Sequence, residues 1–187
     1  MVPLTTLDPN TALILVDLQK GIVSRPTAPY LAAAVVERAA LLAKAFRAHR
    51  LPVILVHVLA QPPGRVEQSR VGGEPPADWA QFVPALDRQL EDHVVDKRAW
   101  GAFAHTGLEE HLKAQGVTQV VIGGIATAIG VESTAREAHS AGFNVTLALD
   151  AMTDFKVETH ENSVEHIFPR LGETGTTEEI IALLDLR

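Results

Sequence analysis

The chain has 187 residues, 47% of them hydrophobic and 21% charged, with a formal charge of −7 and no cysteine. That suits one globular domain with a sizeable core, and it excludes disulfides, thiolate metal sites and thiol catalysis. There is no Lys/Arg run, and no apolar stretch reaches the roughly 18 residues of a spanning helix, which argues against nucleic acid and membrane as partners. The opening MVPLTTLDPN lacks the basic and long apolar regions of a signal peptide, so a cytoplasmic location is expected.

TALILVDLQ (Thr11 to Gln19) is an apolar run ending in polar residues, the pattern of a buried parallel strand with Asp17 at its carboxyl end. YLAAAVVERAALLAKAFRAHR has helical spacing and a basic end that suits a helix C-terminus. LPVILVHVLA reads as a second buried strand. Residues 61–76 hold four Pro and three Gly and read as a loop. WAQFVPALDRQL is expected to resume helix, and HVVDKRA to form a short strand ending near Lys97. GLEEHLKAQGV is helical to Gly116; TQVVIGG is a strong strand; VESTAREAHSAG is a helix to Gly142. FNVTLALDA reads as a strand ending at Asp150, and THENSVEHIFPRLG as a helix leading to a short last strand. TTEEIIALLDL opens with a hydroxyl cap and acids and closes the chain as a helix.

Strands and helices thus alternate along the chain, with no internal repeat, low-complexity tract or linker. The pattern predicts a single α/β domain over residues 1–187, a doubly wound, mostly parallel sheet with helices on both faces. Ligands of such sheets bind beyond the carboxyl ends of the strands. Three of those ends carry Asp17, Lys97 and the Gly124–Gly130 loop. A carboxylate and an ammonium in a dry crevice tune each other, because the ammonium lowers the acid's pKa and desolvation raises it. Backbone N–H groups of the third loop, at the start of a helix, are candidate anion donors. On composition alone, a turn-forming Asp17 and a solvated Lys97 remain the competing reading.

LILVDLQ, VVDKRAWGAF, VIGGIATAIGVESTAREAHSAGFNV and LALDAMT resemble the isochorismatase-like hydrolase family, which includes the cysteine amidases nicotinamidase and N-carbamoylsarcosine amidase. The resemblance runs from about Ala12 to Leu184. It implies a three-layer fold with a six-stranded parallel sheet of order 3-2-1-4-5-6. It also implies an Asp, Lys, Cys triad, whose members fall on Asp17, Lys97 and Gly130. Gly130 has no side chain, so the thiol route of the amidases is closed here. Its hydrogen leaves room, on this reading, for water or substrate. Thr127, Ser133 and Thr134 are better explained by loop hydrogen bonding and helix packing than as substitute nucleophiles.

Isochorismatases of the family also carry glycine at this position; their Asp is thought to protonate an enol ether, and water takes the resulting oxocarbenium ion. They carry an aromatic residue and a histidine in the loop, where this chain has Ala126 and Ala128. The resemblance is greatest to a bacterial subgroup with KRxWGAF and GVESTAR patterns and glycine in place of the thiol. It further implies a cis peptide between Ile125 and Ala126, an oxyanion site at the N–H groups of Ala126 and Gly130, and a homo-oligomer, dimer or tetramer.

Gln19 follows Asp17 by two and so points the same way in an extended strand, toward substrate or the Asp17 carboxylate. Trp100 and Phe103 are candidate walls of a planar substrate pocket, with Trp79 a weaker one. His57 ends the second strand, but the following residues lack the Asp-x-His arrangement of the family's metal sites, and no His spacing suggests another. With no GxGxxG fingerprint either, neither metal nor cofactor is expected. Two functions remain: a small-molecule hydrolase using Asp17 as general acid or base, or an inactive family member that binds a metabolite or regulates. The 61–92 segment is a candidate lid or subunit contact.

Overall fold

The structure, a computed structural model, describes residues 4–60, 64–67 and 75–186. Every residue of β1 (Thr11–Val16) is buried, as in a strand covered on both faces. A single turn, α1 (Lys20–Val23), precedes α2 (Ala32–Ala48), β2 (Val53–Val58), β3 (His93–Lys97) and α3 (Leu108–Ala114). β4 (Gln119–Ile125), α4 (Glu132–Ser140), β5 (Asn144–Thr153), α5 (Val157–Asn162), β6 (Glu173–Gly175) and α6 (Thr177–Asp185) complete the order. The six strands form one sheet in the order β3-β2-β1-β4-β5-β6. All neighbouring pairs are parallel.

Alternation along the strands divides the core in two. Leu13, Leu15, Leu55 and Val121 face Leu42 and Phe46 of α2 and Ile180 and Leu184 of α6. Ile14, Ile54, Val120 and Ile122 face Leu108 and Leu112 of α3 and Ala135 and Ala138 of α4. Each fully buried Leu or Ile contributes about 1.5–3 kcal/mol, so both helical layers are bound to the central strands of the sheet. The three-layer architecture and strand order agree with the sequence-based expectation.

Two elements differ from it. The helix expected over WAQFVPALDRQL is absent apart from one 3-10 turn, Pro84–Leu86. Pro84 lacks an N–H and blocks the preceding helical turn, Val83 is extended, and Asp87 is left-handed at φ 46°. Tertiary pairing takes this backbone instead: Lys20 N–H donates to the Gln81 carbonyl and Gly21 N–H to that of Trp79. Secondly, β5 runs past Asp150 to Thr153, with a register irregularity against β4 between Ile122 and Gly124. Asp150 caps a different element: it accepts from Thr177 N–H at 2.7 Å at the start of α6 and pairs with Arg38 at 3.3 Å. Of the 61–76 loop, residues 61–63 and 68–74 lie outside the described residues.

Candidate active site

Parallel strands bring their carboxyl ends to one edge, and β1, β3 and β4 place Asp17, Lys97 and the Gly124–Gly130 loop there. Asp17 leaves β1 in the left-handed region, φ 54°, which a short polar residue tolerates. Its N–H donates to the Val56 carbonyl at 2.8 Å. The kink lets its carboxylate meet Lys97 across β2: Nζ to Oδ2 is 2.8 Å, and the Lys97 side chain is 1% exposed. Lys97 Nζ also donates to the Trp100 carbonyl at 2.6 Å. Asp17 Oδ1 is buried and has no hydrogen-bond partner among the described residues. Burial pushes the Asp17 carboxyl up to about 6, against the opposing pull of the Lys97 charge and hydrogen bond, the His57 charge and the Val58 backbone.

The peptide joining Ile125 to Ala126 is cis. Residues Thr127–Val131 form a π turn that leads into α4 and buries Gly130. A Cβ on Gly130 would lie 2.9 Å from Val16 Cγ1, 3.1 Å from Asp17 Oδ2 and 3.2 Å from Lys97 Nζ. The three positions of the expected triad therefore meet. The room expected directly above Gly130 is corrected by the same distances: the Asp17–Lys97 pair already fills it. Thr134 Oγ1 donates to the Gly130 carbonyl at 2.7 Å and accepts from Ala102 N–H at 3.1 Å. Thr127 Oγ1 is 2.8 Å from His160 Nδ1 and fully buried. These hydroxyls are engaged in holding loops. His160 is held below the usual histidine range by burial, with Asp154 opposing.

Asp154 and Glu137 went unremarked in the sequence. Asp154 Oδ2 accepts from Ala128 N–H at 2.7 Å, so it fixes the loop that leads from β4 into α4. Glu137 Oε2 accepts from Phe103 N–H at 2.9 Å, and its carboxylate lies where a Cβ on Gly101 would be. The glycine in RAWGAF was the signal for that contact, since only a missing side chain admits it.

The supporting residues divide. Gln19 is fully buried, and its amide is taken up by backbone: it accepts from Val58 N–H at 2.9 Å and donates to the Val58 carbonyl at 3.2 Å. Phe103 packs on Phe143, at the amino end of β5, with ring centroids 5.9 Å apart. Trp100 is 59% exposed beside the site. Trp79 lies against Gly21, where an added Cβ would overlap its indole ring. His57 is stacked on Phe82 with ring centroids 4.7 Å apart. Among the described residues no three His, Asp or Glu side chains converge as a metal site would require.

The family description "Isochorismatase domain" matches residues 11–179. The isochorismatase family protein YwoC of Bacillus subtilis is 44% identical, over 92% of this chain and 93% of its own. The family protein YecD of Escherichia coli O157:H7 is 42% identical over 94% of this chain and 96% of its own. The solved structure of an isochorismatase family protein from Burkholderia thailandensis is 42% identical, with a TM-score of 0.86, covering 96% of this chain and 98% of that one. With the fold, the buried Asp–Lys pair and a glycine in the thiol's place, this chain belongs to the isochorismatase family, in a form without the catalytic cysteine.

Proposed function

We propose that the chain is a hydrolase of a small molecule that works without a covalent thiol intermediate, with Asp17 as its general acid or base. The observation that carries this reading is Asp17 Oδ1, buried and without a partner among the described residues. An orphaned carboxylate oxygen costs a fold about 1–3 kcal/mol or more, a cost a proton-transfer site has reason to bear. Lys97 orients the other oxygen. Gly130 and Ala126 supply the backbone amides of an anion site, for a substrate carboxylate or for the oxyanion of a C–N or C–O cleavage, Ala128 being taken by Asp154. Trp100 flanks the substrate at the rim; Gln19, bonded to the Val58 backbone, fixes the strand end beside Asp17, while Phe103 packs on Phe143 away from it.

Vinyl-ether hydrolysis of the isochorismate type fits best. Protonated Asp17 gives its proton to the terminal carbon of the enol ether. Water adds to the oxocarbenium carbon and returns a proton to Asp17. The hemiketal then collapses to a ketone and an alcohol. No side-chain nucleophile is needed. Water-mediated cleavage of a C–N or C–O bond, with ionised Asp17 as base, is the variant of the same reading. Pyruvate release from isochorismate beside a panel of amides and esters tests it, with Asp17→Asn as control. Loss of about 100-fold or more in turnover is expected in that variant, the scale of general acid–base catalysis. Full turnover by Asp17→Asn would sink the mechanism. Tight binding of a metabolite without conversion would favour the other reading, a binding or regulatory protein. The homo-oligomer, dimer or tetramer, is proposed on the family resemblance and is checked by light scattering, where a monomer overturns it.

A further inference from the structure

His57 is a further ionisable side chain at the Asp17 end of the sheet, and the mechanism above does not use it. Its Nδ1 is 2.7 Å from the Ala80 carbonyl and its Nε2 is 2.6 Å from Asp96 Oδ1. Both partners accept hydrogen bonds. A carbonyl and a carboxylate can both be satisfied at once only by a ring that carries a proton on each nitrogen. The position is fixed by register: His57 pairs with Asp96 across β2 and β3, and Val16 pairs with Val56, so Asp17 and His57 continue adjacent strands. The Ala80 carbonyl belongs to a segment that crosses the end of β1. That segment is also tied by Lys20 to Asp78 at 2.9 Å, by backbone bonds to Lys20 and Gly21, and by the pairing of Phe82 with Gln19.

We propose, resting on the reading of Asp17 as the reacting group, that His57 is a positioning residue held as a doubly protonated imidazolium. It locks the 79–82 segment across the end of β1 and adds a second positive charge facing Asp17. The groups that face it are Asp96 on β3, Asp17 after β1 and, through Asp17, Lys97; the Lys20–Asp78 pair is neutral in sum, and Phe82 covers its face. The His57 charge acts in the same direction as Lys97, toward the ionised form of Asp17. It thereby tunes how readily Asp17 gives up a proton without touching substrate.

The test is NMR on the full chain. Nitrogen-15 shifts of the His57 ring are expected to show both nitrogens protonated at pH 7. In His57→Gln, which keeps an amide donor for Ala80 but no charge, the carbon-13 carboxyl midpoint of Asp17 is expected to move up by about half a pH unit. A ring with one bare nitrogen at pH 7 overturns the proposal, and so does an unmoved Asp17 midpoint in a folded variant. Should His57→Gln fail to fold, the wild-type ring measurement decides alone. None of these readings needs turnover, so their failure is separate from failure of the Asp17 mechanism.

Discussion

Asp17 shows how much one residue's chemistry depends on what packs around it. Its carboxyl is raised to about 6 because burial outweighs the attraction of Lys97. Removing that attraction leaves only the burial. In Lys97→Met the Asp17 midpoint is expected to climb further, by about 1–3 pH units, as read by carbon-13 NMR; a midpoint that stays or falls would contradict the pairing. The same value separates the two chemistries. If Asp17 is the acid, kcat/KM is flat at low pH and declines above about pH 6; if it is the base, kcat/KM declines below it. Gly130 is a second residue-scale constraint. Its substitution by Ala places a Cβ against Val16, Asp17 and Lys97. Denaturant melts of Gly130→Ala are expected to show a loss of about 1–3 kcal/mol from overpacking, only partly offset by better helix propensity. Unchanged stability would mean the Asp17–Lys97 pair yields easily. The positions of Asp17, Lys97 and Gly130 were legible because each ends or follows a strongly patterned strand. That Gly130 has no free space above it was not legible, because side-chain direction depends on three separate strands.

At the scale of elements, short polar bridges join the strand-end loops. Thr134 in α4 bonds both the Gly130 carbonyl and the Ala102 amide, so one hydroxyl links the loop after β4 to the loop after β3. Thr134→Val leaves both backbone groups buried without it, and a loss of about 2 kcal/mol or more is expected in urea melts. Thr134→Ser, which keeps the hydroxyl, is expected to lose less than half of that. Equal losses in the two would show that the methyl group, rather than the hydroxyl, matters there. The 79–82 segment makes the complementary point. Its composition allowed a helix, but Pro84 and pairing with residues 19–21 impose a strap of turns instead. Trp79 lies on Gly21 so closely that Gly21→Ala must displace it. In a Trp100→Phe background the remaining Trp79 emission is expected to shift to the red in that variant, reporting exposure. An unshifted spectrum would mean the strap accommodates the methyl group.

At the scale of the molecule, the charged site is carried at a net expense of stability. Folded Asp17 holds its proton to about 6, whereas an ordinary aspartate loses it at 3.8. Between those values the folded state binds more protons than the unfolded one. The contribution of this group is therefore fully present below about pH 4 and is lost as pH rises through 6, amounting to roughly 3 kcal/mol. Urea melts of wild type and Asp17→Asn from pH 4 to 8 test the sign: wild type is expected to lose ground against the variant as pH rises. A difference that stays flat, or moves the other way, would mean Asp17 is ionised freely in the folded chain.

The sequence by itself determined the layers. Six apolar runs alternating with amphipathic ones can bury their surface only as a parallel sheet covered on both sides, and the motifs around Asp17, Lys97 and Gly130 set the strand order by resemblance. Tertiary structure alone decided which polar groups are spent on backbone and which are left over. Gln19 and Asp17 are two residues apart, yet one amide is taken up by the Val58 backbone while one carboxylate oxygen is left without a partner among the described residues. Periodicity records which face a residue belongs to. It carries no information about an acceptor forty or a hundred residues away, and at this edge of the sheet those distant acceptors determine the chemistry.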